Sequence, residues 1–114
     1  MKLLPALRQK KRYVVFEILA EKKFSFLDIK DSLELSMKEF FGQLGLSKAV
    51  PILLKEKFSQ EKQRFIIKVN NKHVDELISA VILVKKIKNT PVIIKSVITS
   101  GILKKAAVFL DKSG

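Results

Sequence analysis

The sequence has no cysteine, a single histidine and no long apolar run, and each shortage removes a class of function. Without cysteine there is no disulfide framework, no thiolate nucleophile and no sulfur-built zinc or iron–sulfur site. His73 alone cannot build a histidine metal site, so carboxylates would have to supply any metal ligands. The longest apolar run, Leu77–Val84, is interrupted by Ser79 and falls far short of a bilayer span. Near the N-terminus, Pro5, Arg8, Lys10, Lys11 and Arg12 occupy the positions where a signal peptide carries its apolar core. The expectation is an intracellular, cytoplasmic protein.

Charge is what the sequence has in excess. Lysine and arginine number 23 against 11 acidic residues, giving a net charge of +12 and a pI near 10.0. Such an excess repels itself in the compact state and draws polyanions, which makes nucleic acid or an anionic surface the leading partner class. An apolar content of 47% is too high for a disordered basic tail, so this reads as one folded basic domain.

Met1–Lys11 lacks periodicity, contains Pro5 and has no acid; it reads as a basic arm ahead of a domain spanning residues 12–114. Arg8, Lys10, Lys11 and Arg12 suit a phosphate backbone, and a solvated terminus is the plainer alternative. Arg12–Ala20 has strand composition and is apolar on both faces, as a central strand is. Ser25–Phe41 predicts an amphipathic helix: Ser25 and Asp28 form a capping pair. Its core stripe is Phe26, Ile29, Leu33, Met37, Phe40 and Phe41, and Gly42 and Gly45 end it. Asp28, Asp31, Glu34 and Glu39 make this helix a poor RNA surface, and Leu35 lies off the stripe among polar residues. Ala49–Lys57 predicts a strand that lies at an edge or carries a bulge, because Pro51 cannot donate to a ladder, and Arg64–Val69 pairs back to it as a hairpin. Asn70-Asn71 supplies a cap for a helix over His73–Lys88, burying Val74, Leu77, Ile78, Val81, Ile82 and Val84. Lys85, Lys86 and Lys88 would then suit that helix's C-terminal dipole, and His73 would be a surface residue in its first turn.

The last stretch, Pro91–Leu110, combines a β-branched run with a helical one. The strand gives way at Thr99-Ser100-Gly101 to a helix over 102–110. Backbone N–H groups at that start, with Lys104 and Lys105 one turn on, form a candidate phosphate site. An ordinary β–α connection carrying a solvated lysine pair is the alternative. The resulting order, β-α-β-β-α-β plus one more helix, is the α+β ferredoxin-like plan with an antiparallel sheet. The spare helix could cover the sheet's second face.

That plan hosts many functions. The third strand lacks the glycine and paired aromatics of RNA-recognition motifs, and neither an acylphosphatase loop nor a Cys-x-x-Cys is present. LPALRQKKRYVVFEI, HVDELISAVILVKKI and PVIIKSVITSGILKKA do, in that order, resemble archaeal ribonuclease P protein component 2. In eukaryotes the corresponding small basic subunit is shared with the mitochondrial-RNA-processing ribonuclease. Ile102 departs from the threonine that family members often carry after Ser-Gly. The resemblance implies a non-catalytic subunit of a ribonucleoprotein endoribonuclease that removes the 5′ leader from precursor tRNA, its RNA using divalent metal (magnesium) for the chemistry. The implied partners are ribonuclease P RNA and protein component 3, the thirty-kilodalton subunit, in a two-plus-two heterotetramer. Leu35 is then a candidate contact with component 3 or a second copy. A stand-alone RNA-binding module of ribosomal-protein type and a small phosphatase-like enzyme are the competing readings.

Overall fold

The structure, a computed structural model, describes residues 10–112. At its centre runs β1 (Lys11–Leu19), with Val14, Val15 and Phe16 fully buried because the strand is covered on both faces. It pairs antiparallel with β3 (Arg64–Asn70) on one side and β6 (Ile93–Ser100) on the other. β2 (Ile52–Ser59) adds to β3, so the sheet order is β2-β3-β1-β6, the ferredoxin-like arrangement. A register shift opposite Val15/Phe16 bulges β6 at Val97, turning the end of that strand toward the sheet's second face.

One face of the sheet carries the main core. Val14, Phe16, Ile18, Phe65, Ile67 and Val69 meet Ile29, Leu33 and Met37 of α1 (Phe26–Ala49) and Leu77 and Val81 of α2 (Val74–Ile82). Phe16 and Phe65 stack across β1 and β3 with ring centres 5.5 Å apart. As the Ser-x-x-Asp pattern predicts, the Ser25 hydroxyl accepts the Asp28 N–H at 3.2 Å. The second face is covered by α3 (Leu103–Val108), whose Leu103, Ala106 and Ala107, with Leu110 beyond, pack on Val15, Ile66, Tyr13 and Ile98. Helices thus occupy both sides of the sheet, and bases have no open face on which to stack.

Three expectations are corrected. The first helix does not stop at Phe41. Gly42 adopts a left-handed φ of 70° and kinks it, and the chain coils again through Ala49, because Leu46 and Ala49 have core to bury against. The edge strand therefore starts at Ile52, after Pro51; of the proposed stripe, Phe40 is exposed. The helix after Asn70-Asn71 opens with a 3-10 turn, Asn71–His73, which Asn70 caps through Lys72 N–H, and it ends at Ile82 instead of Lys88. Continuing the Leu77/Val81/Val84 stripe would turn Lys88 into the core; instead the chain forms a small hairpin, β4 (Lys86–Ile87) and β5 (Thr90–Pro91), that buries Ile87. Val84 is buried but lies beyond the helix, and Ile82 is exposed. The last helix begins at Leu103, so Thr99 and Ser100 belong to β6, paired with Val14 and Tyr13, and do not open a helix.

Candidate nucleic-acid interface

Strand register gathers the cations at one end of the sheet. Lys11 stands opposite Asn70, Arg12 opposite Val69, and Tyr13 between Lys68 and Ser100. The start of β1, the end of β3 with the following 3-10 turn, and the β6–α3 corner are therefore neighbours. They bring together Lys10, Lys11, Arg12, Lys68, Lys72, Lys104 and Lys105, with Lys48 close by through its carbonyl, which accepts from Asn70 Nδ2. Lys10, Lys48, Lys72, Lys104 and Lys105 are exposed; Lys11, Arg12 and Lys68 are half-buried. Among the described residues none of them forms an ion pair. The pairs present join Glu17 to Arg64 and Lys95, and His73 to Glu76 at 2.9 Å. Asp75 and Glu76 in the first turn of α2 are the acids nearest this end in the chain.

Arg12 and Gly101 are separate candidates in the sequence and one site in the fold. The Arg12 Nη1 donates to the Lys11 carbonyl at 3.2 Å, and a Cβ added to Gly101 would stand 3.1 Å from that same nitrogen. Gly101 has no left-handed backbone, so its contribution is room for the guanidinium. Ser100 is engaged locally: its hydroxyl accepts the Ile102 N–H at 3.1 Å. Thr99 is exposed on the edge strand. α3 has six residues and no side-chain cap, so Lys104 and Lys105 act here as exposed charges, with little dipole behind them. Arg8 and the rest of the arm up to residue 9 lie outside the described residues.

Lys68 and Lys72 are functional candidates that sequence reasoning missed. The signal was there in the strand plan, since a β-α-β-β-α-β sheet sets the end of the third strand beside the start of the first. Leu35 is 60% exposed on the outer side of α1, one turn before Glu39, which lines the seam with Phe40 and Leu83. Leu35→Lys should therefore leave the urea midpoint nearly unchanged, within about 0.5 kcal/mol of stability. A larger loss would make Leu35 a core residue.

At the far end, Glu17 accepts from Arg64 Nε at 3.1 Å and pairs with Lys95 at 3.2 Å. Burial alone would push the Glu17 carboxyl up, but the hydrogen bonds and charges of Arg64 and Lys95 outweigh it and hold the group below its usual range.

The chain is thus a basic α+β module of ferredoxin-like plan, with helices on both faces of its sheet and a cluster of cations at one sheet end. Comparison narrows the class. The model of the Rpp14/Pop5 family matches residues 12–110, and the chain belongs to that family. It is similar to ribonuclease P protein component 2 of Pyrococcus furiosus, 36% identical over 101 residues, covering 89% of this chain and 82% of the relative. A ribonuclease P/MRP protein subunit, POP5, of Schizosaccharomyces pombe is 28% identical, with 87% and 81% covered. The fold matches a chain in the cryo-EM structure of yeast ribonuclease MRP with a TM-score of 0.64 at 13% identity, covering 90% of this chain and 87% of that one.

Proposed function

We propose that this chain is a non-catalytic protein subunit of ribonuclease P that grips the RNA backbone through its basic end. The observation that carries the reading is the convergence of Lys10, Lys11, Arg12, Lys68, Lys72, Lys104 and Lys105 with no ion pair among the described residues. Membership of the Rpp14/Pop5 family and similarity to a ribonuclease P protein component support reading that RNA as ribonuclease P RNA, with precursor tRNA as the substrate in this proposal. Phosphate contacts of this kind position a protein without reading bases, which suits a subunit that supports an RNA catalyst. The RNA, with divalent metal, carries the cleavage chemistry. Protein component 3 is the protein partner, in a two-plus-two assembly, and exposed Leu35 with the α1–α2 seam is its docking side or that of a second copy. No helix among the described residues is long and apolar enough to cross a membrane.

The test is precursor-tRNA cleavage by the RNA and component 3, with and without this chain. Cleavage should rise on its addition, and the chain and component 3 should co-elute as one complex, weakened by Leu35→Lys. Cleavage indifferent to the chain, or RNA binding with no complex formed with component 3, would favour a stand-alone RNA-binding module instead.

A further inference from the structure

Lys85, Lys86 and Lys88 have no role at the basic end. They stand on the β4–β5 hairpin and its approach, beyond the other end of the sheet. β6 separates the two: its eight residues, at ~3.3 Å each, put roughly 25 Å between hairpin and corner. The hairpin is firmly rooted. Val84, Ile87, Thr90 and Val92 point inward and are buried, and the Val92 N–H donates to the Lys85 carbonyl at 2.9 Å. Lys85, Lys86 and Lys88 point outward, are exposed, and form no ion pair among the described residues. Glu39, across the α1–α2 seam beside Leu83, does not pair with them.

The tip of the hairpin holds the informative residue. Ile87 pairs with Thr90, so Lys88 and Asn89 form a two-residue loop, with φ of 49° and 66°. Such a loop requires left-handed backbone at both positions and favours Asn, Asp or Gly. Asn89 fits; Lys88 is held there against its own preference, in a conformation that an Asn would adopt more readily. Local stability does not account for a lysine at this tip, whereas a charge to be presented does.

We propose that this hairpin is a second site for RNA phosphates, so that the chain bridges two RNA backbone segments, one at each end of the sheet. The proposal rests on the reading of the chain as an RNA-binding subunit. A narrow, two-residue turn with three outward cations suits a phosphodiester backbone, which a lysine meets as a point charge. Neither Lys88 nor Asn89 is held by a neighbour in a geometry that would read a base edge.

The experiment measures the salt dependence of binding to ribonuclease P RNA for three variants and for the combination of two of them. Lys85, Lys86 and Lys88 all changed to Gln should flatten the slope by roughly 0.9 for each phosphate no longer neutralised. Lys88→Asn alone should weaken binding about fivefold at ~0.15 M salt while its thermal midpoint holds or rises. That pairing of weaker binding with undiminished stability cannot come from a structural lesion. Lys10, Lys11 and Arg12 changed to Gln should lower the slope independently, and the two effects should add when the changes are combined. An unchanged slope in the hairpin variant, with a reduced one at the basic end, overturns the second site and leaves the subunit reading standing. Effects that fail to add place both clusters on one segment and overturn the bridge. Wild-type binding in both variants overturns the RNA-binding reading itself.

Discussion

Replacing Arg64 with Met should lower the unfolding free energy by about 3 kcal/mol, read from urea denaturation at neutral pH. Arg64 is 5% exposed and is engaged entirely inside the molecule. Its Nε serves Glu17, and its Nη1 donates to the Phe109 carbonyl at 2.7 Å and the Lys112 carbonyl at 2.6 Å. The two carbonyls follow α3, so one guanidinium both neutralises a mostly buried carboxylate in β1 and ties the C-terminal helix to the sheet. Met keeps the volume but leaves Glu17 with Lys95 alone, a half-exposed partner screened by solvent. It also leaves both carbonyls short of a donor. The pH dependence has a definite sign. Glu17 titrates below its ordinary value in the folded protein, so its stabilisation is fully present above that value and is lost as pH falls through the lowered one. The wild type should therefore lose stability on acidification more steeply than Arg64→Met, and the gap should narrow in acid to the pH-independent part set by the two carbonyls. A variant as stable as wild type at neutral pH would mean that α3 is held by its apolar contacts alone.

This latch is not legible in the sequence, although both of its residues sit in strands that are. Glu17 and Arg64 are directly opposed in the β1–β3 register, a pairing that follows only when the hairpin's exact alignment is known. The strands themselves are visible because β-branched and aromatic runs at 12–20, 64–69 and 91–99 leave little room for helix. The cap at Ser25 is visible for a similar reason, being a local pattern with a local cause. Termination is where local pattern fails. Gly42 looks like a helix end, yet its left-handed conformation is a kink that lets Leu46 and Ala49 reach the core. His73–Lys88 looks like one helix because apolar spacing persists through Val84; the tertiary demand to bury Ile87 instead of Lys88 outweighs that spacing. Both misses occur where packing against distant residues decides between two locally acceptable paths.

The same division holds for the site. Its charges can be read from composition, but their convergence cannot, since Arg12 and Gly101 lie almost a chain length apart. The 3.1 Å approach between the Arg12 guanidinium and the place where a Gly101 Cβ would stand is a product of strand register. Sequence spacing suggests a phosphate held by a helix start at Thr99–Gly101; the fold moves that start to Leu103 and leaves Lys104 and Lys105 as exposed side-chain charges.

Removing the charges of Lys10, Lys11 and Arg12 together should therefore weaken binding to ribonuclease P RNA by roughly 100-fold at ~0.15 M salt, the combined effect of three phosphates left without a cation. The log–log slope against salt should fall by about 0.9 per phosphate if the RNA is duplex there, and by about 0.7 if it is single-stranded. Glutamine replacements remove the charge but keep a polar side chain and leave the strand pairing untouched, so the thermal midpoint should stay near that of the wild type. Changing Lys104 and Lys105 to Ala should give a smaller effect of the same kind, because both are exposed to water and neither is positioned by a neighbour among the described residues. Arg12 differs: its Nη1 is anchored on the Lys11 carbonyl and it lies against Gly101, so less freedom is surrendered when it meets a phosphate. Gly101→Val should displace that guanidinium, whose flexible end can move aside, and so lower affinity without unfolding the protein. Combining Gly101→Val with Arg12→Gln should then cost no more affinity than Arg12→Gln alone, because the two changes act through one side chain. Full additivity of that pair would show that Gly101 meets the RNA by itself. A triple glutamine variant with the wild-type slope would remove the basic end from the RNA interface altogether.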